Sequence, residues 1–262
     1  MRRINFLFAF FLLNCFAQQA FAQNDSISKD SLLYHKVLLV QFDTMMYLSD
    51  AEHDIMEQSE KSLDAYRTYL RKSLDNKIAG EVEALLPCYS LLNDKSKQDA
   101  QTTGEIYGQC NYRYDDPMKL KHTKSPKLKP SKNNSKENED SKVAPQYITV
   151  QGDAKYMNAG IENKILFEKL NKQYGADLFL FINQFEIKTN FNNCIDIARH
   201  VYKRELIISY SIYNKEGKQV DGNLAHAYFP SNSNRDSDIA ERTFPSIATS
   251  IASHIQALVL NK

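Results

Sequence analysis

Histidines, cysteines and one acid at a strand end are the residues of this chain whose types could do chemistry. The six histidines are His35, His53, His122, His200, His226 and His254. None belongs to an H-E-x-x-H pair or to a Cys/His finger spacing. His53 and Glu57 fall one helical turn apart, a geometry that can hold a metal ion, but no third ligand accompanies them. His226, in mid-strand among aromatic neighbours, reads as a hydrogen-bonded structural histidine. Asp43 ends an apolar run. Such a place at the C-terminal end of a parallel strand contacts ligands in many α/β proteins, and it can equally begin a loop. There is no glycine-rich phosphate loop and no G-x-S-x-G elbow. No catalytic residue and no cofactor is therefore assigned, and His53 and Glu57 are the metal candidates.

Four cysteines are present. Cys15 lies within an apolar leader, and Leu13-Asn14 before it is a poor match to a lipid-anchor site. Cys88, Cys110 and Cys194 remain, so in an oxidising compartment one bridge and one free thiol are the most that can form. Cys88 and Cys110 flank one stretch of chain and are the expected pair. Ser26 and Ser31, each in an Asp-Ser-aliphatic triplet, match the acceptor pattern of a bacterial O-glycosylation system.

The leader carries the plainest signal in the chain. Arg2 and Arg3 precede an apolar run over residues 4–16, and Ala20-Phe21-Ala22 offers small residues to a signal peptidase. This is the pattern of an export signal cleaved after Ala22, and the run falls short of the roughly 20 residues that span a bilayer. Of 33 basic and 32 acidic side chains the leader holds two arginines and no acid. The remaining chain thus carries 31 against 32, a net −1, with no electrostatic reason to bind nucleic acid. Its expected place is the periplasm or the outside of the cell.

The elements that must position these residues can be read from periodicity. After a flexible tail over 23–35, residues 37–43 form a strand buried on both faces, as in a parallel sheet. Leu63, Tyr66, Leu70, Leu74 and Ile78 mark one face of a helix that ends near Gly80 or runs on until Pro87 stops it. Leu91 and Leu92 pack locally, and residues 106–108 are expected as a short strand. Residues 119–136, opened by Lys119 and closed by Lys136, hold seven lysines and no acid. They sit in an insertion, 113–146, expected to be disordered. The lysine run could make peripheral contact with an anionic surface.

Residues 147–151 read as a strand. Residues 160–174 read as a helix with Ile161, Ile165, Leu166 and Leu170 inward, capped by Gly175. Residues 177–187 form a second doubly buried strand. Residues 204–213 and 219–229 form a hairpin turning at Gly217, with Ser209 and Ser211 on a partly wet face. A closing helix carries Phe244, Ile247, Ile251, Ile255 and Leu258, with Pro245 at its start or kinking its first turn. The result is a single α/β domain over 36–262, a two- or three-layer mixed sheet in the order β-α-β-α-β-β-β-α.

This order, the opening strand at 37–43, the Gly175-Ala176-Asp177 step into a strand, and the hairpin followed by Asp238-Ile239-Ala240-Glu241 resemble the periplasmic α/β domain shared by the N-terminus of TolB, CsgG and LpoB. The resemblance covers most of residues 36–262 outside the insertion. It implies a non-catalytic scaffold or assembly partner of the cell envelope, working through contacts with an envelope protein. The chain departs from that group by lacking a good lipid-anchor site and a propeller, and no functional residue carries over. The alternative is a periplasmic hydrolase or ligand-binding protein with its site near Asp43 and residues 44–55.

Overall fold

The apolar run over residues 37–40 is an interior strand, next to the edge, of a six-stranded sheet. The computed structural model describes residues 33–92, 96–119 and 154–260. Strand β1 (Val37–Val40) is buried at every residue. A 3-10 turn, Thr44–Met46, leads to the short β2 (Tyr47–Ser49). Helix α1 (Glu52–Ser59) stops at Glu60, which takes a left-handed conformation. Helix α2 (Leu63–Glu83) begins under the Ser62 side chain and runs past Gly80, with Tyr66, Leu70, Leu74 and Ile78 all fully buried. There follow β3 (Cys88–Ser90), α3 (Lys97–Tyr107), β4 (Asn111–Asp115), β5 (Tyr156–Gly160) and α4 (Lys164–Tyr174). Gly175, at φ 66°, ends α4 in the left-handed region that favours glycine. The chain closes with β6 (Leu178–Asp196), β7 (Val201–Asn214), β8 (Gln219–Pro230) and α5 (Asp236–Leu260).

The sheet is mixed. Its order is β3-β1-β6-β7-β8, with β2 also pairing β6. β1 runs parallel to β3 and β6, and β6, β7 and β8 are antiparallel. Leu38 and Val40 pack with Phe179, Phe181 and Tyr213 against Ile106 of α3 and Leu166, Phe167 and Leu170 of α4. On the other face Tyr47 meets Tyr66 of α2, and Phe185 and Tyr210 meet Phe244 and His254 of α5. Helices thus cover both faces, which is why β1 lacks polar alternation. A second, two-stranded ribbon pairs β4 with β5.

Several expectations are corrected. Residues 106–108 end helix α3 instead of forming a strand. Ser96 caps that helix, its side chain accepting from the Asp99 N–H, so the helix is nucleated well before Ile106. Residues 113–115, placed in the insertion, pair with β5. The strand expected at 147–151 lies outside the described residues, as does most of the expected insertion. β5 ends at Gly160, so α4 starts later, under Asn163. That phase buries Phe167 and leaves Ile165 71% exposed, where the opposite was expected for Ile165. Ser209 and Ser211 are buried, because β5 lies across them. The Ser209 hydroxyl accepts from the Met157 N–H at 3.1 Å, and the Ser211 hydroxyl donates to Asn158 Oδ1 at 2.7 Å. Pro245 lies inside α5, which begins at Asp236, and it sits on the exposed side.

Candidate functional site

The residues singled out by type do not converge. Asp43 follows β1 and caps the 3-10 turn, its carboxylate accepting from the Met45 N–H at 3.1 Å, so it serves as the opening of the loop. His53 and Glu57 are exposed on α1, and among the described residues no three His, Cys, Asp or Glu side chains come together as a metal site. Between them Asp54 turns to the buried Arg204 of β7, whose guanidinium also donates to Thr189 and Asn234. His226 bonds Glu205 at 2.6 Å, and this contact holds the Glu205 carboxyl below the usual carboxylate range.

Cys88 and Cys110 are free thiols, and the expected bridge is not formed. Cys88 stands opposite Val37, at the start of β1. Cys110 lies three residues beyond Tyr107, whose hydroxyl bonds the Gln41 and Phe42 carbonyls past the end of β1. A disulfide needs Cα atoms about 4.4–6.8 Å apart, and these thiols sit toward opposite ends of one strand. Burial pushes Cys88 up to about 12 and Cys110 up to about 11, which makes both poor nucleophiles. Cys15, Ser26, Ser31 and the lysine run after Lys119 lie outside the described residues.

Two features emerge that residue types did not announce. The first is an arm. Beyond Thr189, β6 and β7 continue as a hairpin whose β6 side and turn are mostly solvent-exposed. Phe191, Ile195 and Ile197 are 69%, 57% and 80% exposed. Asn190 faces Lys203 and Cys194 faces Tyr202, so residues 191–193 bulge out of register. Their backbone groups are left out of the ladder beside apolar side chains. The sequence signal was present in the alternation of Phe191, Ile195 and Ile197. It was masked by Asn190, Asn192 and Asn193, which read as a loop.

The second is a cavity of about 320 Å³ at the C-terminal ends of the parallel strands β1 and β3. Gln41, Thr44, Arg71, Leu91, Leu92, Ser96, Ala100, Thr103 and Tyr107 line it. Gln41 is 2% exposed, and neither amide atom makes a hydrogen bond of normal geometry. The Arg71 Nε–H is equally shielded and unpartnered, while its Nη2 donates to the Tyr107 hydroxyl at 2.7 Å. Behind them Asp75 is fully buried. Burial raises its carboxyl above the usual range, against the Ser90 hydroxyl, the nearby Gln41 amide and the Arg71 charge, all of which lower it. In a neighbouring pocket of about 420 Å³ beside Lys36, by contrast, Tyr89 and Tyr174 both donate to Asp99, and Lys36 donates to the Tyr174 carbonyl.

No protein-family model matches the chain, and no curated protein does. Among solved structures, it is similar to the lipoprotein GNA1162 of Neisseria meningitidis. The identity is 11% and the TM-score 0.33, over 85% of this chain and 98% of that one. It is also similar to a candidate lipoprotein of Caulobacter crescentus, at 13% identity and TM-score 0.19, over 34% of this chain and 73% of that one. Likenesses this loose do not bear on what the chain does.

Proposed function

We propose that this is an exported, non-catalytic protein of the cell envelope that works by binding another envelope protein through its β6–β7 arm. The exposure of Phe191, Ile195 and Ile197 at the end of this hairpin carries the reading. Large apolar side chains at the end of a projecting hairpin are costly to leave wet and are the usual anchors of interfaces. A protein partner suits the tip better than a bilayer. Asn190, Asn192 and Asn193 share the tip, and all three are exposed. In lipid their amides would lose water without gaining partners, whereas a protein surface can bond them together with the bulged backbone. Export rests on the leader, Arg2 to Ala22, and N-terminal sequencing of secreted protein should begin at Gln23. No described helix is long and apolar enough to cross a membrane.

The test is photo-crosslinking in intact envelopes. A probe at position 195 should trap one discrete partner. The same probe at position 165, more exposed still on α4, should not. Equal trapping at both positions, or none at 195, removes the arm from the reading. A second reading, a ligand-binding protein, is supported by the cavity beside Thr44.

A further inference from the structure

β8 is the last strand of the six-stranded sheet, so one of its edges has no strand beside it among the described residues. Two bonds settle which residues look outward. The Ser231 N–H donates to the Tyr202 carbonyl, which turns every second residue from Phe229 back to Asp221 toward β7. From the other side the Met118 N–H donates to the Gly222 carbonyl at 2.8 Å. Gly222, Leu224, His226 and Tyr228 therefore present their backbone groups to the open edge.

That edge is closed at both ends. The Asp221 carboxylate accepts from the Gly222 N–H at 2.8 Å, and the Asn223 side-chain oxygen accepts from the Leu224 N–H at 2.9 Å. At the far end Pro230 has no N–H, and its carbonyl accepts from the Ser233 N–H. Between these closures the Leu224 carbonyl and both backbone groups of His226 and of Tyr228 meet no partner among the described residues. The opening runs over residues 224–228. An edge blunted on either side and left bare in the middle has the form of a seat for one short extended segment.

We propose that residues 147–151 of this same chain take that seat, pairing antiparallel with β8. Tyr147-Ile148-Thr149-Val150-Gln151 matches the opening in length, alternates, and contains no proline. The stretch outside the described residues, 120–153, leaves and returns beside β8. It leaves just after Met118, bonded to Gly222. It returns at Ala154, and two residues on the Tyr156 hydroxyl accepts from Gln219 of β8 at 2.7 Å. The Met157 N–H donates to Ser209, which stands opposite Leu224. Residues 152–155 reach roughly 13 Å at about 3.3 Å each. Residue 151 thus falls at the Leu224 end of the opening, and the segment runs from Tyr228 toward Leu224, against the direction of β8. A second copy of the chain fits less well. Paired two-fold about His226, it sets Tyr228 of one copy against the Leu224 N–H of the other, which Asn223 already holds. A tethered segment also arrives at an effective concentration of order millimolar. The proposal is independent of the arm.

Amide exchange followed by NMR tests it. In the full chain the His226 and Tyr228 N–H groups should exchange at least about tenfold more slowly than in a double variant, Thr149→Pro with Val150→Pro. Two adjacent prolines remove a bonded N–H whichever phase the segment takes. The segment covers an edge and not the core, so the double variant should melt within a few degrees of the full chain. A free peptide of residues 146–152, added to the double variant at millimolar concentration, should restore slow exchange. Fast exchange in the full chain, equal to that of the double variant, overturns the proposal and leaves the edge bare for a partner protein. Slow exchange that fades on dilution overturns it in favour of a second copy. Slow exchange that survives both prolines overturns it in favour of another segment. None of these outcomes touches the crosslinking result at position 195.

Discussion

Single residues carry two consequences that composition could not foretell. Asp75 sits on the inward face of α2 in the company of Leu74 and Ile78, fully buried. Its carboxyl is raised by burial, so the folded state holds the proton more tightly than the unfolded chain does. Ionisation therefore costs stability, beginning as pH climbs past the unfolded value near 3.9 and reaching its full extent above the folded value. Asp75→Asn keeps an acceptor for the Ser90 hydroxyl and removes that cost. It should raise the urea midpoint at pH 7 and change it little at pH 3.5. Asp54 works the other way. It is half-exposed, yet it answers Arg204, which is 5% exposed. Asp54→Ala removes the carboxylate partner of a buried guanidinium, leaving it only Thr189 and Asn234, and should cost about 1–2 kcal/mol in chemical denaturation, while His53→Ala and Glu57→Ala should be neutral. The glycines were legible because a positive φ has few occupants. Gly175 caps α4 and Gly217 turns the hairpin, as their spacing predicts. Gln41 and Arg71 were not, because a polar residue at a strand end and a basic one on a helix look alike whether solvated or gathered round a cavity.

Among the elements, those with a clean period were read correctly and those that depend on distant partners were not. α2 and the closing helix bury the stripes their spacing marks, except that Leu63 is only half-buried and Val259 replaces Leu258 as the last fully inward residue. β4 and β5 escaped notice because each is short and is held by its pairing with the other. β6 shows how local chemistry rescues a pattern. Its register shifts between Ile182 and Gln184, leaving Asn183 as an extra residue. The shift lets Phe185 and Ile187 face the same helices as Leu180 and Ile182. Asn183 is itself tied to the Met157 carbonyl at 2.8 Å and the Ser211 hydroxyl at 2.7 Å. Leu180 stands opposite both Leu39 and Ile212 and is fully buried. Leu180→Asp places a carboxylate there without a partner, costs several kcal/mol and should leave the protein unfolded by circular dichroism at 25 °C.

At the scale of the whole molecule, the α/β class and the mixed sheet were legible, and the number of layers and the details of connection were not, since sequence separation hides which strands meet. The β4–β5 ladder sets Asp115 opposite Tyr156, and paired residues in an antiparallel ladder lie about 5 Å apart. Six residues of Gly and Ser in place of 120–153 can therefore close the gap, and the shortened protein should melt within a few degrees of the full chain. A failure to fold would mean the excised stretch supplies part of the core. The position of β1 has a further consequence. The first described strand is an interior one, paired on both sides, and its neighbour β6 arrives only much later. Lys36 and Asp177, 141 positions apart, are already hydrogen-bonded at the base of that pair. The sheet cannot close until the C-terminal third of the chain is present. Contacts of such long range form slowly. A polypeptide built this way stays threadable for most of its own synthesis, a natural timer if the chain passes through a membrane pore as proposed.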